Sequence, residues 1–594
     1  MNKTDNQKTT LPIETMRHSC AHVMAQAVLE LYPGTKLAIG PSTEDGFYYD
    51  FDPQGQHKFS ELDFVQIEQK MKEIIRSKQE FVREEISKEE ALSRFEKENE
   101  PYKLEIIQDL DDGTITLYKN GPFVDLCRGP HVQNTSEIKA FKLLSVAGAY
   151  WRGSEKNPML QRIYGTCFLT KEELANYLLR LEEAKKRDHR RVGKDLKLFT
   201  TSPEVGAGLP LWLPNGATIR RILERYIVDM ELAEGYQHVY TPVLAKTELY
   251  KISGHWDHYR DSMYPPMALD DDELVLRPMN CPHHIQIYKS EGVRSYRELP
   301  LRMAELGQMF RLEKSGELTG LSRVRSMCLN DAHIFCTEEQ IHEEIIKALQ
   351  MVEKAYKDLG FTPDTYTYRL SLGDRNDTVK YVDNPAMWDK AENELRVVFK
   401  ELNLPHYEAP GEAAFYGPKI DIQLKNVLGK EETVSTIQVD RHLPERFQLE
   451  YVGEDGKPHQ PIMIHRGIIS TMERMTAFLI EYYAGAFPVW LSPVQAIILP
   501  IKDSVNEFAR NFHLELQKMG LRVNLDIRNE KLGYKIREAQ VQKIPYMLVI
   551  GEKELQENKV AVRRRDGKDL GAMSMDDFKS LIQDDINSKR SRFE

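Results

Sequence analysis

The spacing of apolar residues changes character several times along the chain. His18 to Tyr32 (HSCAHVMAQAVLELY) carries the 3.6-residue period of a helix. Residues 61–100 are charge-dense, with Phe64, Ile67, Met71, Ile74 and Ile75 at helical spacing, and read as helix. Strand-like runs flank them, GFYYDF from Gly46 and TITLYKNGPFVDL from Thr114, so residues 1–174 are expected to form one α+β domain. KEELANYLLRLEEAKKRDHRR is amphipathic and increasingly basic, and its helix is expected to run to about Gly193, making residues 175–193 a connector. Residues 194–490 are rich in Gly, Pro and aromatics, and ELVLRP, VSTIQVD and PIMIHRG read as strands in a largely antiparallel sheet. Residues 491–594 alternate strands with helices: VQAIILPI, a helix to about Met519, LRVNLDI, the helix LGYKIREAQ, then YMLVIG, VAVRRR and a closing helix. That alternation predicts a small sheet wound with helices. The fold class is α+β and multidomain.

Composition narrows the classes of function. A chain of 594 residues exceeds one hydrophobic core, and 41% apolar with 29% charged residues excludes a disordered or fibrous protein. No uncharged apolar run is long enough to cross a bilayer, and the start MNKTDNQKTT has no signal-peptide core, so a cytoplasmic location with no membrane partner is expected. Cysteines 20, 127, 167, 281, 328 and 336 are too scattered for a disulfide scaffold. The net charge of −11 argues against a nucleic-acid coat protein, yet the mildly basic stretch from Leu491 onward is compatible with local RNA contact.

Two constellations carry chemistry. His18 and His22 lie four apart in a helical segment and so share a face, and Cys127 and His131 lie four apart in DLCRGPHV. By ligand chemistry alone, this set is a tetrahedral zinc site; a helix face satisfied by its neighbours is the bland alternative. A zinc-protease reading fails because Ser19, not a general-base Glu, follows the first histidine. The second constellation is FRLEKSGELTGLSRVRSM, with Arg311, Glu313, Arg323 and Arg325 around a glycine-containing loop. Here Arg suits a phosphate gaining charge, and Glu suits an adenine amino group. IISTMERMTAFLIEYY adds Glu473 and Arg474 at the head of an apolar helix.

Together these segments resemble motifs 2 and 3 of class II aminoacyl-tRNA synthetases. RPMNCPHHIQIY, NDAHIFC, IMIHRG and GEAAFYGPKIDI, with LDIRNEKLGYKIREAQ and VIGEKELQENKVAVRRR in the tail, narrow the resemblance to threonyl-tRNA synthetases of bacterial type, colinear from about residue 12 to about 575. The resemblance implies an editing domain over 1–174, a linker helix over 175–193, a class II catalytic domain over 194–490 and an anticodon-binding domain over 491–594. It also implies a homodimer paired through motif 1, around residues 219–242. The partners would be ATP, L-threonine and tRNA(Thr).

The same resemblance assigns roles. Cys281, His333 and His465 would hold one Zn2+ per subunit, and Asp331 would accept a hydrogen bond from the threonine hydroxyl. Arg311 would hold the α-phosphate, Glu313 would read adenine, and Arg474 would bind the γ-phosphate of an ATP carrying Mg2+. Gln438 and Lys419 would join this catalytic set, and Tyr416 and Arg323 would bind substrate. His18, His22, Cys127, His131 and Asp125 would form the site that hydrolyses seryl-tRNA, with Tyr49 and Lys103 nearby; the family reading there is water held by side chains and tRNA rather than a metal. Asn529, Arg537, Glu554 and Arg563 would read anticodon bases, and the run Arg563–Arg565 would serve phosphates or solvent. Three departures stand out. The ubiquitin-like module that usually precedes the histidine helix is expected to be absent, Leu329 stands where the family has Gln, and Ser470 replaces a common Gly. The alternative function is a catalytically silent paralogue acting as a regulatory RNA-binding protein, which a threonine-dependent ATP–pyrophosphate exchange assay separates from the enzyme.

Overall fold

The structure, a computed structural model, describes residues 13–111 and 113–590. The chain forms two compact units, one up to Leu181 and one from Glu182. In the first, helix α1 (Ile13–Leu31) packs along strand β1 (Gly46–Asp52) and helix α2 (Phe64–Arg76). The expected helix over 61–100 is not continuous. After α2 the chain turns through Lys78, whose φ is +52°, and Phe81–Ser87 becomes strand β2, followed by helices α3 (Lys88–Lys97) and α4 (Pro101–Gln108). The signal was present: Ser87 accepts from the Glu90 amide while Glu90 returns a carboxylate oxygen to Ser87 N–H, a capping box that starts a new helix. β2 pairs antiparallel with β3 (Thr114–Asn120), which pairs with β4 (Phe123–Leu126). β5 (Ala140–Tyr150) and β6 (Met159–Phe168) close a five-stranded sheet with β1.

The connector also breaks. Helix α5 (Lys171–Arg187) stops, and the Asp188 carboxylate accepts from the Arg190 amide to cap a second helix, α6 (His189–Asp195). Beyond it lie α7 (Pro214–Ala233), β7 (Gln237–His238), α8 (Cys281–Ser290), β8 (Leu301–Phe310), β9 (Ser326–Cys336) and α9 (Ile341–Asp358). They are followed by β10 (Tyr366–Leu372), α10 (Pro385–Glu401), β11 (His406–Pro410), β12 (Lys419–Lys425), β13 (Glu431–Asp440), β14 (Ile462–Gly467) and α11 (Met472–Tyr483). Eight strands make one sheet in the order β7-β8-β9-β14-β13-β12-β10-β11, antiparallel except at its two edges.

Strand alternation decides which face does what. Ala332 and Ile334 of β9, Ile464 of β14, Ile437 of β13 and Ile420 and Ile422 of β12 are buried in one core with α7, α9, α10 and α11. Their neighbours in sequence, Asp331, His333, His465 and Gln438, must therefore point from the opposite face.

The tail has the expected alternation: β15 (Ala496–Pro500), α12 (Asn506–Lys518), β16 (Val523–Leu525), α13 (Leu532–Val541), β17 (Tyr546–Ile550), α14 (Glu552–Glu557) and β18 (Lys559–Arg564). One further strand, β19 (Asp569–Ser574), precedes the closing helix α15 (Met575–Ser588). The sheet order is β16-β15-β17-β18-β19. All six cysteines are buried and free.

Candidate active site

Register lines up the expected site residues across the large sheet. His333 on β9 lies opposite His465 on β14, His465 opposite Gln438 on β13, and Gln438 opposite Lys419 on β12. Cys281 opens helix α8 and joins the two histidines, each offering one donor atom, with all three donors within 4.8 Å of one another. Burial pushes the Cys281 thiol up, and the charges of Asp331 and Asp440 push the same way. His465 Nε2 is 2.9 Å from Asp440, and His333 Nδ1 is 2.8 Å from His284 Nδ1. Each histidine thus has one nitrogen held and one left for a metal, and a thiolate with two imidazoles is a donor set that suits zinc. Asp331 Oδ1 stands 3.9 Å from His333 Nε2, and burial raises the Asp331 carboxyl. Tyr416 stacks on His465 and donates to Gln438 Oε1 at 2.5 Å.

Cys281, Asp331, His333, Tyr416, Gln438 and His465 line a cavity of about 400 Å³ together with Arg311, Glu313, Arg323 and Arg474. Arg311 and Glu313 follow β8 directly, and Arg323 returns from the far side of the loop to pair with Glu313 at 2.8 Å. Arg474 sits in the first turn of α11, where the Thr471 hydroxyl accepts its amide at 3.0 Å. Burial lowers the Arg474 guanidinium, and Arg311 and Arg323 nearby lower it further. Three guanidiniums facing one another at a helix N-terminus form a site for a polyanion. Glu473 does something else. Its carboxylate takes Arg220 of α7 at 2.9 Å and the Cys328 amide at 2.9 Å, tying the helix to the sheet. Lys419 lies beside the cleft and pairs with buried Asp421 at 3.0 Å.

The first unit gathers the other constellation. His18, His22, Cys127 and His131 place four donor atoms within 4.8 Å of one another. Cys127 Sγ is 3.3 Å from His18 Nε2 and 3.2 Å from His131 Nε2. Ser19 sets the proton positions. Its hydroxyl donates to Thr15 O at 2.8 Å, so at 3.0 Å it can only accept from His131 Nδ1, which leaves the Nε2 lone pair facing the thiol. Burial raises Cys127 to about 11 and depresses His18, His22 and His131. The cluster is therefore a neutral thiol among neutral imidazoles, not a thiolate–imidazolium nucleophile. Asp125 joins from β4, bridged by Lys103 at 2.5 Å and by the Tyr49 hydroxyl at 2.5 Å, with His22 Nε2 at 3.8 Å. His18, His22, Lys103, Asp125 and Cys127 line a cavity of about 640 Å³.

Residues 266–483 match the family described as tRNA synthetase class II core domain (G, H, P, S and T), residues 495–585 the anticodon binding domain, and residues 115–164 the threonyl and alanyl tRNA synthetase second additional domain. Over 582 residues the chain is 56% identical to the threonine–tRNA ligase of Geobacillus kaustophilus (strain HTA426), covering 98% of this chain and 88% of that one. The chain belongs to the threonine–tRNA ligase family. The ligase of Streptococcus gordonii is 55% identical over 591 residues, 99% of this chain and 90% of that one. The crystal structure of the RNA-binding domain of threonyl-tRNA synthetase from Cryptosporidium parvum matches with a TM-score of 0.63 and 38% identity, over 67% of this chain and 98% of that one.

Among residues expected to face the anticodon in this ligase-family chain, Asn529 and Arg537 are exposed, one after β16 and one on α13. Glu554 is half-buried, and its carboxylate accepts the Gly551 amide at 2.9 Å, capping α14. Arg563 lies toward the other end of the sheet, opposite Met547, and pairs with Asp569 at 2.9 Å. The run Arg563–Arg565 does not present three free cations: Arg564 pairs with Asp566, and Arg565 donates to the carbonyls of Phe487 and Ala486 at 2.6 and 2.7 Å. Those last bonds anchor the tail to the segment after α11. Sequence reasoning missed His284, Glu305 and His255. His255 is buried, held down to about 3 by burial, and its Nε2 lies 3.5 Å from Cys281 Sγ. The histidines of GHWDH and PHH were visible as residue types, but their neighbours are distant in sequence.

Proposed function

We propose that this chain activates L-threonine with ATP, transfers it to the 3′ end of tRNA(Thr), and hydrolyses seryl-tRNA(Thr) formed in error. The observation that carries the reading is one cleft in which the Cys281–His333–His465 donor set meets the Arg311–Arg323–Arg474 cluster. Threonine and valine differ by a hydroxyl in place of a methyl, a distinction an apolar pocket makes poorly. Cys281, His333 and His465 would hold one zinc ion per subunit, and its Lewis acidity would favour an amino acid that offers both an amino group and a side-chain hydroxyl, of which valine has only the first. Asp331 accepts from that hydroxyl, and Tyr416 and Gln438 wall the pocket. The threonine carboxylate oxygen attacks the α-phosphorus of ATP, the bond from that phosphorus to the oxygen bridging to the β-phosphate breaks, and diphosphate leaves; Mg2+ brought in with ATP would neutralise phosphate charge. Arg311 holds the α-phosphate, Arg474 the γ-phosphate, and Glu313 exchanges its Arg323 partner for the adenine amino group. Catalysis is orientation and charge stabilisation, with no protein nucleophile. A ribose hydroxyl of the tRNA then displaces AMP at the carbonyl.

Serine also carries an amino group and a β-hydroxyl, so a second sieve is needed. His18, His22, Cys127, His131 and Asp125 form it, holding water against the ester. Asn529, Arg537, Glu554 and Arg563 read the anticodon, from a domain over 491–594 separate in role from the catalytic residues 194–490 and the editing residues 1–174. A second copy of the chain covers the face near Tyr240, whose side chain is 92% exposed, with Leu232 and Val243, making a homodimer. No helix among the described residues is long and apolar enough to cross a membrane, and the enzyme works in the cytoplasm. The regulatory-paralogue alternative would be expected to lose ATP contacts, yet Arg311, Glu313 and Arg474 all line the cleft. Threonine-dependent ATP–pyrophosphate exchange by zinc-loaded protein tests the reading; absence of exchange overturns it.

A further inference from the structure

We infer that His189, on the connector helix α6, is a positioning residue for the ATP-binding loop between β8 and β9. The inference rests on the ligase reading, since the loop matters to catalysis only if Arg311, Glu313 and Arg323 hold ATP. His189 is 2% exposed and touches two elements far away in sequence. Its Nδ1 lies 2.7 Å from Glu481 Oε1 on α11, and its Nε2 lies 3.1 Å from Leu321 N in the loop. A backbone amide can only donate, so Nε2 accepts. The single ring proton then sits on Nδ1 and donates to Glu481. Glu481 Oε1 also accepts the His189 backbone N–H at 3.2 Å.

The loop is tied at three consecutive residues. Leu321 is fully buried in the catalytic core and donates to His189, the Ser322 carbonyl accepts from Arg474 Nε at 3.3 Å, and Arg323 reaches Glu313 at 2.8 Å. The first tie sets the backbone from which the other two project. Gly320 completes the fit. Its φ is +47°, and a Cβ there would stand 2.1 Å from His189 Nε2, so the loop backbone lies directly against the ring. Asp188, His189 and Glu481 also have the donor types of a metal site. Both ring nitrogens are already engaged, however, and Asp188 caps α6, so the imidazole has no lone pair to give a cation.

Asparagine places its amide near the Nδ1 position of histidine, and glutamine near Nε2, so two variants separate the two bonds. His189→Asn keeps a donor for Glu481 and leaves the Leu321 amide without an acceptor. ATP–pyrophosphate exchange should then show KM for ATP raised roughly two- to tenfold, the range for one lost hydrogen bond, with KM for threonine unchanged. His189→Gln restores an acceptor to Leu321 and should keep the parent KM for ATP even if its thermal midpoint falls. Gly320→Ala, which pushes the backbone off the ring from the loop side, should copy His189→Asn and covers the case in which that variant folds poorly. If the Asn and Gln variants change KM for ATP equally, or KM for threonine rises in step, His189 is only a structural residue and the inference fails. A parent protein without exchange overturns the ligase reading instead, so the two failures are distinct.

Discussion

Replacing His284 by phenylalanine leaves Cys281, His333 and His465 unchanged and puts a slightly larger ring without nitrogen in place of a fully buried imidazole. Those nitrogens sit in a chain. His284 Nε2 is 3.1 Å from Glu305 Oε2, and Glu305 also takes the Thr241 hydroxyl at 2.7 Å and Arg277 Nη2 at 3.1 Å. Burial alone would raise the Glu305 carboxyl, but the bonds from His284 and Thr241 and the Arg277 charge outweigh it and hold it at about 2. The ionised carboxylate claims the Nε2 proton of His284. His284 Nδ1 then has a lone pair, and at 2.8 Å it accepts from His333 Nδ1–H, which turns the His333 Nε2 lone pair toward the other two donors. Without the ring nitrogens, His333 Nδ1–H is a buried donor with no acceptor, at about 1–3 kcal/mol. Loss of such a supporting bond typically lowers metal affinity about 10–100-fold, or roughly 1.4–2.7 kcal/mol. Competition against a chromophoric chelator measures the zinc Kd, with thermal midpoints of metal-free and metal-loaded protein as a check on folding. His284→Asn, whose amide oxygen stands near the Nδ1 position, should recover much of the loss. A zinc Kd for His284→Phe within about twofold of the parent, in a folded protein, refutes the reasoning.

Cys281→Ser should lower zinc content and threonine activation together, since a three-donor site has none to spare; metal analysis beside pyrophosphate exchange checks this, and unchanged values for both sink it. His18→Ala with His22→Ala should leave threonine activation near parental while seryl-tRNA accumulates, because the two clusters belong to separate compact units; a deacylation assay as fast as the parent refutes it. Leu329→Gln should alter threonine affinity or inhibition by a non-hydrolysable threonyl-adenylate analogue by roughly two- to tenfold; if both stay within about twofold, the position is neutral. Ser470→Gly should stabilise the catalytic unit by about 1 kcal/mol in denaturant titration, because Ser470 holds φ at +58°; a loss of stability would show that the serine side chain outweighs its backbone strain.

The strands were legible as apolar runs, and their period of two, once they are placed in one sheet, separates its two faces. The alternation in NDAHIFC and IMIHRG puts isoleucines on one side and histidines on the other, and the core lies where the isoleucines point. Boundaries were less legible where a local cap interrupts a helical charge pattern. Ser87 and Asp188 each restart a helix, and both were written in the sequence as cap residues. The two clusters were legible through the cysteines and histidines that come together in them, and not through what orients those side chains. His284 acts on His333 across 49 residues of chain, with Glu305 behind it on a buried hydrogen-bond path, and Ser19 fixes the tautomer of His131 across 112 residues. Nothing in local spacing encodes such pairings. Charge type hides local engagement for the same reason: Arg565 is a type that suits phosphate, yet it donates to backbone carbonyls, and the Glu554 carboxylate also caps a helix.

Leu329 and Ser470, the two positions expected to differ from the family's usual residues, are neighbours in the fold. Leu329 bridges to Thr471, and the Asn330 amide donates to the Ser470 carbonyl at 3.0 Å, so the strand before Asp331 and the turn into α11 are laced together at both substitutions. Leu329 packs with Met309, Val324 and Met327, an apolar nest under the loop that carries Arg323. Leucine there extends the apolar support of that loop and offers the cleft no polar group. Met327 lies in the same nest and lines the same cleft, whereas Cys328 belongs to the core on the other face of the sheet, so of the two neighbours only Met327 can compensate for the change at 329. Ser470 adds a side chain in a left-handed backbone conformation, where glycine has no steric penalty. A strained residue hydrogen-bonded to the strand that presents Asp331 ties the two substitutions to one piece of backbone. Their effects on threonine and ATP binding should therefore be non-additive, in contrast to those of sites in separate units.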